Sequence, residues 1–310
     1  EDFRKDNALA ILERHRHSIL SFNDDIQGTG AVALAGMLSG LRISQASPAA
    51  QRVLIYGAGA AGLGIARQIR AALGAEGQIA VLDSRGLLVD DNEIRDEYKR
   101  ELAWTVEQAA SYELSAADAR DLRSVVAAFK PSVLIGSSGQ AGAFDEQVVR
   151  DMAAHCERPI ILPFSNPTAN AEATPADLVR WTDGKALIAT GSPFDPVSYK
   201  GQVQQIGQGN NVFIFPGLGA GALAVRAREV TDSMVSAASA ALAAQTTEAE
   251  LATGALFPAV GRLRDVSYHV AVAVAEAARD AGVANDETGD IATLIRQATW
   301  QPVYPRYEAH

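Results

Sequence analysis

The chain alternates short apolar runs with longer segments of helical periodicity. Runs rich in Val, Ile and Leu predict strands at 52–56, 78–83, 132–136, 159–164, 186–190 and 211–214. Apolar residues three and four positions apart predict helices at 7–20, 31–41, from 57 to about 73, and at 118–129, 144–155, 175–182, 221–244 and 265–281. The span 84–116 is rich in charge and is predicted to be irregular. This order predicts an α/β fold, a doubly wound, Rossmann-like parallel sheet with a helical C-terminal extension.

Composition and charge narrow the class of protein. The chain has 310 residues, of which 48% are hydrophobic and 21% charged, as in soluble globular proteins. Its net charge of −10 argues against nucleic acid or an anionic membrane as the main partner. No apolar stretch reaches the ~18 residues that a spanning helix needs. One cysteine, Cys156, cannot form an internal disulfide, so we expect a cytoplasmic protein.

A glycine-rich turn follows the first predicted strand. Gly57, Gly59 and Gly62, with Ala60 and Ala61 between the last two, match the G-x-G-x-x-G pattern between a strand and a helix. The first glycine allows a tight turn, the second lets a pyrophosphate approach the backbone, and the third lets the helix pack on the strand. The helix N-terminus then offers amide donors to phosphate. The turn therefore predicts a dinucleotide site.

The end of the next predicted strand bears on the choice of cofactor. Asp83 is placed to accept hydrogen bonds from the adenosine ribose, which favours NAD, and Ser84 adjoins it. Arg85 favours NADP if it meets a 2′-phosphate, and it is a solvated loop charge otherwise. Lys99 and Arg100 are further candidates for that phosphate. NAD and NADP both stay open.

Two acidic pairs, Glu1-Asp2 and Asp24-Asp25, flank the first predicted helix. Glu1, Asp2 and Asp25 offer the oxygen ligands that Mg²⁺ or Mn²⁺ prefers. Helix capping is the alternative for Glu1-Asp2, because acidic residues suit a helix N-terminus. Capping explains Asp24-Asp25 less well, since adjacent carboxylates repel each other in a tight turn unless a cation offsets them.

Asparagines follow or precede other predicted strands. Asn166 lies after the strand at 159–164, and Asn210 and Asn211 lie at the start of the strand at 211–214. Ligands bind at the carboxyl edge of open α/β sheets, where neutral amides can hydrogen-bond a nicotinamide ribose or a substrate carboxylate. Turn formation is the alternative for each asparagine alone.

These motifs together resemble those of the malic enzymes. The run Phe22-Asn23-Asp24-Asp25-Ile26-Gln27-Gly28-Thr29 is similar to the signature of that family. The later motifs occur in the family's order, and they are 57–62, 83–87, 165–168, 191–196, 209–211 and 215–217. The resemblance extends from Glu1 to at least Asp265.

The resemblance implies roles for particular residues. It implies that Glu1, Asp2 and Asp25 ligate the metal and that Asp24 lies close by, which makes Asp24 and Asp25 the candidate catalytic residues. It further implies that the cofactor is held by the glycine-rich turn at 57–62, called the fingerprint turn below, and by Asp83, Ser84, Arg85, Asn166 and Asn210. It also implies that Asn166 and Asn211 contact substrate. The family's tyrosine acid, lysine base and substrate-binding arginine belong to an N-terminal domain. We therefore expect residues 1–46 to link to such a domain, residues 47–310 to form the NAD(P)-binding domain, and the chain alone to turn over poorly.

The implied activity is the metal-dependent oxidative decarboxylation of malate to pyruvate and CO₂ with reduction of NAD(P), in a homo-oligomer. A malolactic-type lyase that retains its cofactor and releases lactate is an alternative. A non-catalytic dinucleotide-binding module is another. An amino-acid dehydrogenase shares the domain plan but gives no reason for the carboxylate pair at 24–25.

Overall fold

The predicted alternation builds a sheet of seven strands in the computed structural model, which describes residues 2–74, 77–91, 94–116, 119–286, 288–300 and 304. The strands are β1 (Arg52–Tyr56), β2 (Gln78–Asp83), β3 (Gly86–Leu87), β4 (Val133–Gly136), β5 (Ile160–Pro163), β6 (Leu187–Thr190), β7 (Val197–Tyr199), β8 (Gln202–Gln204) and β9 (Gly207–Gln208). Their spatial order is β3-β2-β1-β4-β5-β6-β9, and β7 and β8 form a separate antiparallel hairpin. Every neighbouring pair in the large sheet is parallel except β2 and β3.

Helices cover both faces of this sheet. They are α1 (Lys5–His15), α2 (Thr29–Ser44), α3 (Ala60–Leu73), α4 (Glu97–Arg100), α5 (Val106–Ser111), α6 (Leu122–Phe129), α7 (Glu146–His155), α8 (Pro175–Trp181), α9 (Phe215–Ala224), α10 (Asp232–Gln245), α11 (Glu248–Ala252), α12 (Leu263–Asp280) and α13 (Ile291–Ala298). No helix in the described ranges combines the length and apolar character needed to cross a lipid bilayer.

The side-chain alternation of the strands divides the core in two. Val53 and Ile55 of β1 point to a cluster that includes α2, α3, α9, α10 and α12. Leu54, between them, points to a second cluster that includes α6, α7 and α8. Both faces are buried, which explains why the central strands are continuous apolar runs rather than alternating ones. The predicted doubly wound sheet is confirmed. Residues on both sides of the predicted boundary at 46 share the first cluster, and the two-part division stays a prediction.

Three sequence-based predictions of secondary structure were wrong. The strand predicted at 211–214 is a 3₁₀ helix, Asn211–Phe213, because Asn210 accepts a hydrogen bond from the Val212 amide and α9 begins two residues later. The strand nearest to this segment in the sequence is β9, at Gly207–Gln208. The helix predicted at 221–244 is two helices, since the Thr231 side chain caps a new helix at its N-terminus. The span 84–116 is not wholly irregular, because it contains β3, α4 and α5.

Candidate cofactor and metal site

The fingerprint turn joins β1 to α3, and its three glycines have different surroundings. Gly57 has φ +126°, and a Cβ there would lie 2.6 Å from the Ser137 backbone. A Cβ at Gly62 would lie 1.8 Å from the Gly57 carbonyl oxygen. A Cβ at Gly59 would meet no described heavy atom within 4 Å, and Gly59 is exposed. Two glycines thus close the turn against the sheet, and the third leaves open space in front of the N-terminus of α3, where Ala60 and Ala61 begin the helix.

A cavity of about 300 Å³ lies beside this turn. It is at the carboxyl ends of β1, β2 and β4, where the strand order reverses, which is the usual place for a nucleotide in such folds. Its lining residues are Lys5, Tyr56, Gly57, Ala58, Gly59, Asp83, Ser84, Lys99, Ser137, Ser138 and Gln140. The fingerprint turn, Asp83 and Ser84 are therefore brought together as predicted from the sequence.

Asp83 lies at the end of β2 with its side chain 8% exposed. Its carboxylate accepts hydrogen bonds from Lys99 Nζ at 2.6 Å and from the Arg85 amide at 2.8 Å. Burial acts to raise the pKa of Asp83, but the hydrogen bond from Lys99 and the other contacts outweigh it, so the pKa lies below its ordinary value. The Arg85 guanidinium is 3.9 Å from the same carboxylate, and its side chain is mostly exposed.

Lys99 and Arg100, the two further candidates for a 2′-phosphate, differ in position. Lys99 lines the cavity. Arg100 hydrogen-bonds the Ile94 carbonyl oxygen and lies 3.7 Å from Asp90. Of this pair, Lys99 is therefore the cation that faces the cavity.

The acidic turn at 24–28 lies against α3, the helix that follows the fingerprint turn and is called the fingerprint helix below. Asn23 starts the turn, and its Oδ1 accepts a hydrogen bond from the Ile26 amide at 2.9 Å. A Cβ at Gly64 of α3 would lie 2.0 Å from the Ile26 carbonyl oxygen, so the helix and the turn are in direct backbone contact. Gly64 thus allows the two half-buried carboxylates of Asp24 and Asp25 to lie beside α3.

Two of the three predicted metal ligands lie together. The Asp2 amide donates a hydrogen bond to Asp25 Oδ2 at 2.7 Å, although 23 positions separate the residues. Glu1 lies outside the described residues. Within the described part of the chain, no group of three or more His, Cys, Asp or Glu side chains forms a metal-binding cluster, and no ion pair involves Asp25.

The three asparagines are placed differently. Asn211 Nδ2 donates to Asp24 Oδ2 and to the Asp24 carbonyl oxygen, each at 3.1 Å, which joins it to the acidic turn. Asn166 Oδ1 accepts from Ser192 Oγ at 2.6 Å, and Asn166 itself is exposed. Asn210 Oδ1 accepts from the Val212 amide at 2.9 Å, which is the turn role that the sequence left as an alternative.

Several cavity residues were not predicted from the sequence. Lys5 enters the cavity from α1 and hydrogen-bonds Asp96, the N-terminal cap of α4. The Tyr56 hydroxyl donates to Gln140 Oε1 at 2.8 Å. Burial, and then the charge of Glu172, raises the pKa of Tyr56. Ser137 and Ser138 follow β4 directly, so the strand-end argument that selected Asn166 would have found them.

A larger groove of about 680 Å³ lies elsewhere, between α9, α12 and α13. None of the described residues that the sequence marked as site candidates lines it. Chemistry and sheet topology, rather than size, therefore identify the candidate site.

Known proteins match most of the chain. Residues 26–279 match the family model for the malic enzyme, NAD binding domain. NAD-dependent malic enzyme 3 of Bacillus subtilis is 44% identical over 313 residues, covering 98% of this chain and 55% of the relative. NAD-dependent malic enzyme of Aliivibrio fischeri is 43% identical over 317 residues, covering 99% of this chain and 56% of the relative.

A solved structure of a malic enzyme has a similar fold. A crystal structure of the Entamoeba histolytica malic enzyme superposes with a TM-score of 0.79 at 26% identity, covering 95% of this chain and 57% of that chain. The chain thus spans about half the length of the curated relatives it matches. On the family model, the motifs and the fold, the chain belongs to the malic enzyme family.

Proposed function

We propose that this chain provides the NAD-binding and metal-binding part of a site that oxidatively decarboxylates malate to pyruvate and CO₂. The position of the acidic turn carries the proposal. The turn touches the fingerprint helix through Gly64 and Ile26, and it is hydrogen-bonded to Asn211 through Asp24. Candidates for metal and substrate binding that are far apart in the sequence therefore lie beside the helix that follows the glycine-rich turn, which supports the proposal.

The residues at the acidic turn fit a hard divalent cation. The Asp2 backbone amide lies against the Asp25 carboxylate, and Mg²⁺ is usually held by one or two carboxylates together with water and substrate oxygens. Bound Mg²⁺ or Mn²⁺ supplies a Lewis acid that polarises a carbonyl oxygen. Asp25 and Asp2 would hold the ion, and the Asn211 amide holds the Asp24 carboxylate in place beside them.

The residues at the fingerprint turn fit a dinucleotide. The amides that open α3 face the space beside Gly59, where they would donate to the pyrophosphate. Asp83 would accept from the adenosine ribose hydroxyls, and Ser84 adjoins it in the cavity. A bound nicotinamide supplies the hydride acceptor for C2 of malate. Asn166, in the loop after β5, would hydrogen-bond the nicotinamide half or the substrate carboxylate.

Cofactor choice follows from the pair of Asp83 and Lys99. The carboxylate favours the free ribose hydroxyls of NAD, and Lys99 offsets its repulsion of a 2′-phosphate. We therefore propose that NAD is preferred and that NADP is accepted less well.

Asp25→Asn tests the proposal, because it removes a charge and keeps the side-chain shape. Mn²⁺ affinity, measured by calorimetry, should fall at least about tenfold. Malate-dependent NADH formation should fall with it, and NAD affinity should change little. The matched control is Asp280→Asn, an exposed aspartate at the end of α12. Unchanged Mn²⁺ affinity in Asp25→Asn would refute the metal assignment. Lactate release without net NADH formation would instead indicate the malolactic-type reaction.

A further inference from the structure

A buried carboxylate, Glu172, lies behind the cofactor cavity. It is 0% exposed, and within the described residues no ion pair to a lysine, arginine or histidine involves it. It is packed against the last residue of β4, since a Cβ at Gly136 would lie 2.4 Å from its carboxyl carbon. Burying a carboxylate without a cation is costly unless hydrogen bonds compensate it. The position therefore requires a specific set of donors.

Those donors come from the two loops at the carboxyl ends of β4 and β5. Glu172 Oε1 accepts from the Ser138 amide at 2.9 Å, from Ser138 Oγ at 2.8 Å and from Ser165 Oγ at 2.5 Å. The Ser165 amide approaches Oε2 at 3.4 Å. The carboxylate thus joins a residue that follows β4 to a residue that follows β5.

Both serine oxygens also accept a hydrogen bond from a backbone amide. Ser165 Oγ accepts from the Gly139 amide at 2.8 Å, and Ser138 Oγ accepts from the Gln140 amide at 3.1 Å. With the amide donating to its oxygen, each hydroxyl can donate its own proton to Glu172 Oε1. In this arrangement the Glu172 carboxyl group accepts in every contact.

The loop held in this way borders the cavity on the side away from Asp83. Ser137, Ser138 and Gln140 line the cavity, as Asp83 does from the end of β2. A dinucleotide with its adenosine ribose at Asp83 and its pyrophosphate at Gly59 must place its other nucleoside over the ends of β4 and β5, because the strand order there is β2-β1-β4-β5. The Ser137–Gln140 loop and Ser165 thus lie beneath the nicotinamide half.

We propose that Glu172 is a positioning residue for the nicotinamide half of the cofactor, acting through Ser138 and Ser165. The inference rests on the proposed binding of NAD at the fingerprint turn. Among the described residues, Glu172 makes no hydrogen bond to the glycine-rich turn or to Asp83. The inference thus assigns a function to a buried carboxyl group that the metal and fingerprint arguments do not use.

The test compares a whole dinucleotide with its adenosine half. In Glu172→Gln the amide group cannot accept every hydrogen bond that the carboxylate does, so the two loops lose their shared anchor. We expect the Kd for NAD⁺ to rise roughly tenfold, because hydrogen bonds to a charged group are being lost. The Kd for AMP should change less than about twofold, since AMP occupies the Asp83 side.

Two further variants keep the result interpretable. Ser138→Ala removes one donor, leaves Glu172 in place, and should weaken NAD⁺ binding by a smaller factor with the same selectivity. It decides the question if Glu172→Gln does not fold. Glu250→Gln is the matched control, because Glu250 also accepts from a backbone amide and a hydroxyl, those of Thr247, but lies on α11 and does not line the cavity.

The outcomes separate this inference from the proposed function. Equal weakening of NAD⁺ and AMP in folded variants would show that Glu172 supports the fold in general, and it would overturn the inference. Unchanged NAD⁺ affinity in both variants would overturn it too, while leaving NAD binding intact. Failure of the unsubstituted protein to bind NAD⁺ at all would overturn the proposed function, and the inference with it.

Discussion

The glycines of the fingerprint turn have separate structural roles, and Gly59 gives the sharpest test of the dinucleotide site. Its backbone is extended, with φ −81° and ψ −168°, so a branched side chain fits the conformation. Its Cβ would point into open space. Gly59→Val should therefore leave the thermal unfolding temperature nearly unchanged and lower NAD affinity by at least about tenfold, because valine occupies the pyrophosphate position.

The control for Gly59→Val is Gly261→Val, at another glycine whose Cβ would meet no described atom within 4 Å. It lies in a 3₁₀ turn before α12 and should leave NAD affinity unchanged. Calorimetry on both variants checks the prediction. Full NAD affinity in Gly59→Val would mean that the pyrophosphate does not lie at this turn.

A second prediction at the scale of residues concerns Lys99 and the choice of cofactor. Lys99→Ala removes the cation nearest to the buried Asp83 carboxylate, so repulsion of a 2′-phosphate should increase. NADP affinity should fall roughly tenfold or more, and NAD affinity by a clearly smaller factor, because NAD lacks that phosphate. Arg85→Ala should change the ratio of the Kd values for NADP and NAD less than Lys99→Ala does, since the Arg85 side chain is mostly exposed.

The matched control for Lys99→Ala is Arg100→Ala, the adjacent cation that hydrogen-bonds Ile94 and does not line the cavity. The measurement is the ratio of the Kd values for NADP and NAD in each variant. An unchanged ratio in Lys99→Ala, or an equal change in Arg100→Ala, would place the discriminating group elsewhere.

Residues whose role depends on local backbone were predictable, and residues whose role depends on distant partners were not. Gly57, Gly59 and Gly62 were identified because a turn between a strand and a helix fixes their spacing. The ion pair of Asp83 and Lys99 was not identified, because it spans 16 positions of a segment without regular periodicity. Glu172 was missed for the same reason, since its partners follow two different strands.

At the scale of elements, close approach of α3 to the acidic turn determines where the candidate metal ligands lie. A methyl group in Gly64→Ala would lie 2.0 Å from the Ile26 carbonyl oxygen, a backbone atom that can move only with the whole turn. The free energy of unfolding should fall by about 1–3 kcal/mol. Mn²⁺ affinity should fall more than NAD affinity, because the turn moves and the fingerprint loop does not.

Gly219→Ala is the control for Gly64→Ala, because Gly219 also lies inside a helix, α9, but its Cβ would meet no described atom within 4 Å. It should leave Mn²⁺ affinity unchanged and raise stability by up to about 1 kcal/mol. Urea denaturation and Mn²⁺ titration of the pair test the contact. Unaltered Mn²⁺ affinity in a destabilised Gly64→Ala protein would separate the packing of the turn from metal binding.

Elements with a clear apolar pattern were predicted well. The bounds of β1 and β2 were predicted residue by residue, since buried parallel strands need uninterrupted apolar runs. The strand predicted at 211–214 failed, because a side-chain cap at Asn210 and the helix that begins at Phe215 override the β propensity of Val212 and Phe213. The helix predicted at 221–244 failed because the Thr231 side chain caps a new helix, α10, between two alanine-rich segments.

At the scale of the whole molecule, hydrogen-bonded carboxyl groups determine how stability depends on pH. Eight described carboxyl groups have pKa values below their ordinary values of 3.8 for Asp and 4.5 for Glu, and they are Asp83, Asp96, Glu107, Asp121, Asp145, Asp183, Glu250 and Asp290. In each, desolvation acts to raise the pKa, and hydrogen bonds from cations, hydroxyls or backbone amides outweigh it.

The sign of the effect follows from proton binding. At acidic pH the unfolded chain binds more protons than the folded chain at these carboxyls, so the free energy of unfolding decreases as the pH falls below their ordinary pKa values. The net charge of −10 acts in the opposite direction, because acidification relieves repulsion between excess negative charges. The two effects therefore predict opposite slopes between neutral pH and about pH 3, and the specific hydrogen bonds should dominate at the acidic end.

Urea denaturation over this range, on the unsubstituted protein and on Asp83→Asn, measures the contribution of one such group. Asp83→Asn should lower stability at neutral pH, because Lys99 loses its partner, and the two proteins should converge as the pH falls through the folded-state pKa of Asp83. Glu157→Gln, at an exposed carboxyl, should follow the unsubstituted protein at every pH. A constant difference between Asp83→Asn and the unsubstituted protein down to the lowest pH would show that the Asp83 carboxylate contributes through shape rather than charge, since a charge effect must vanish once the carboxyl is protonated in both states.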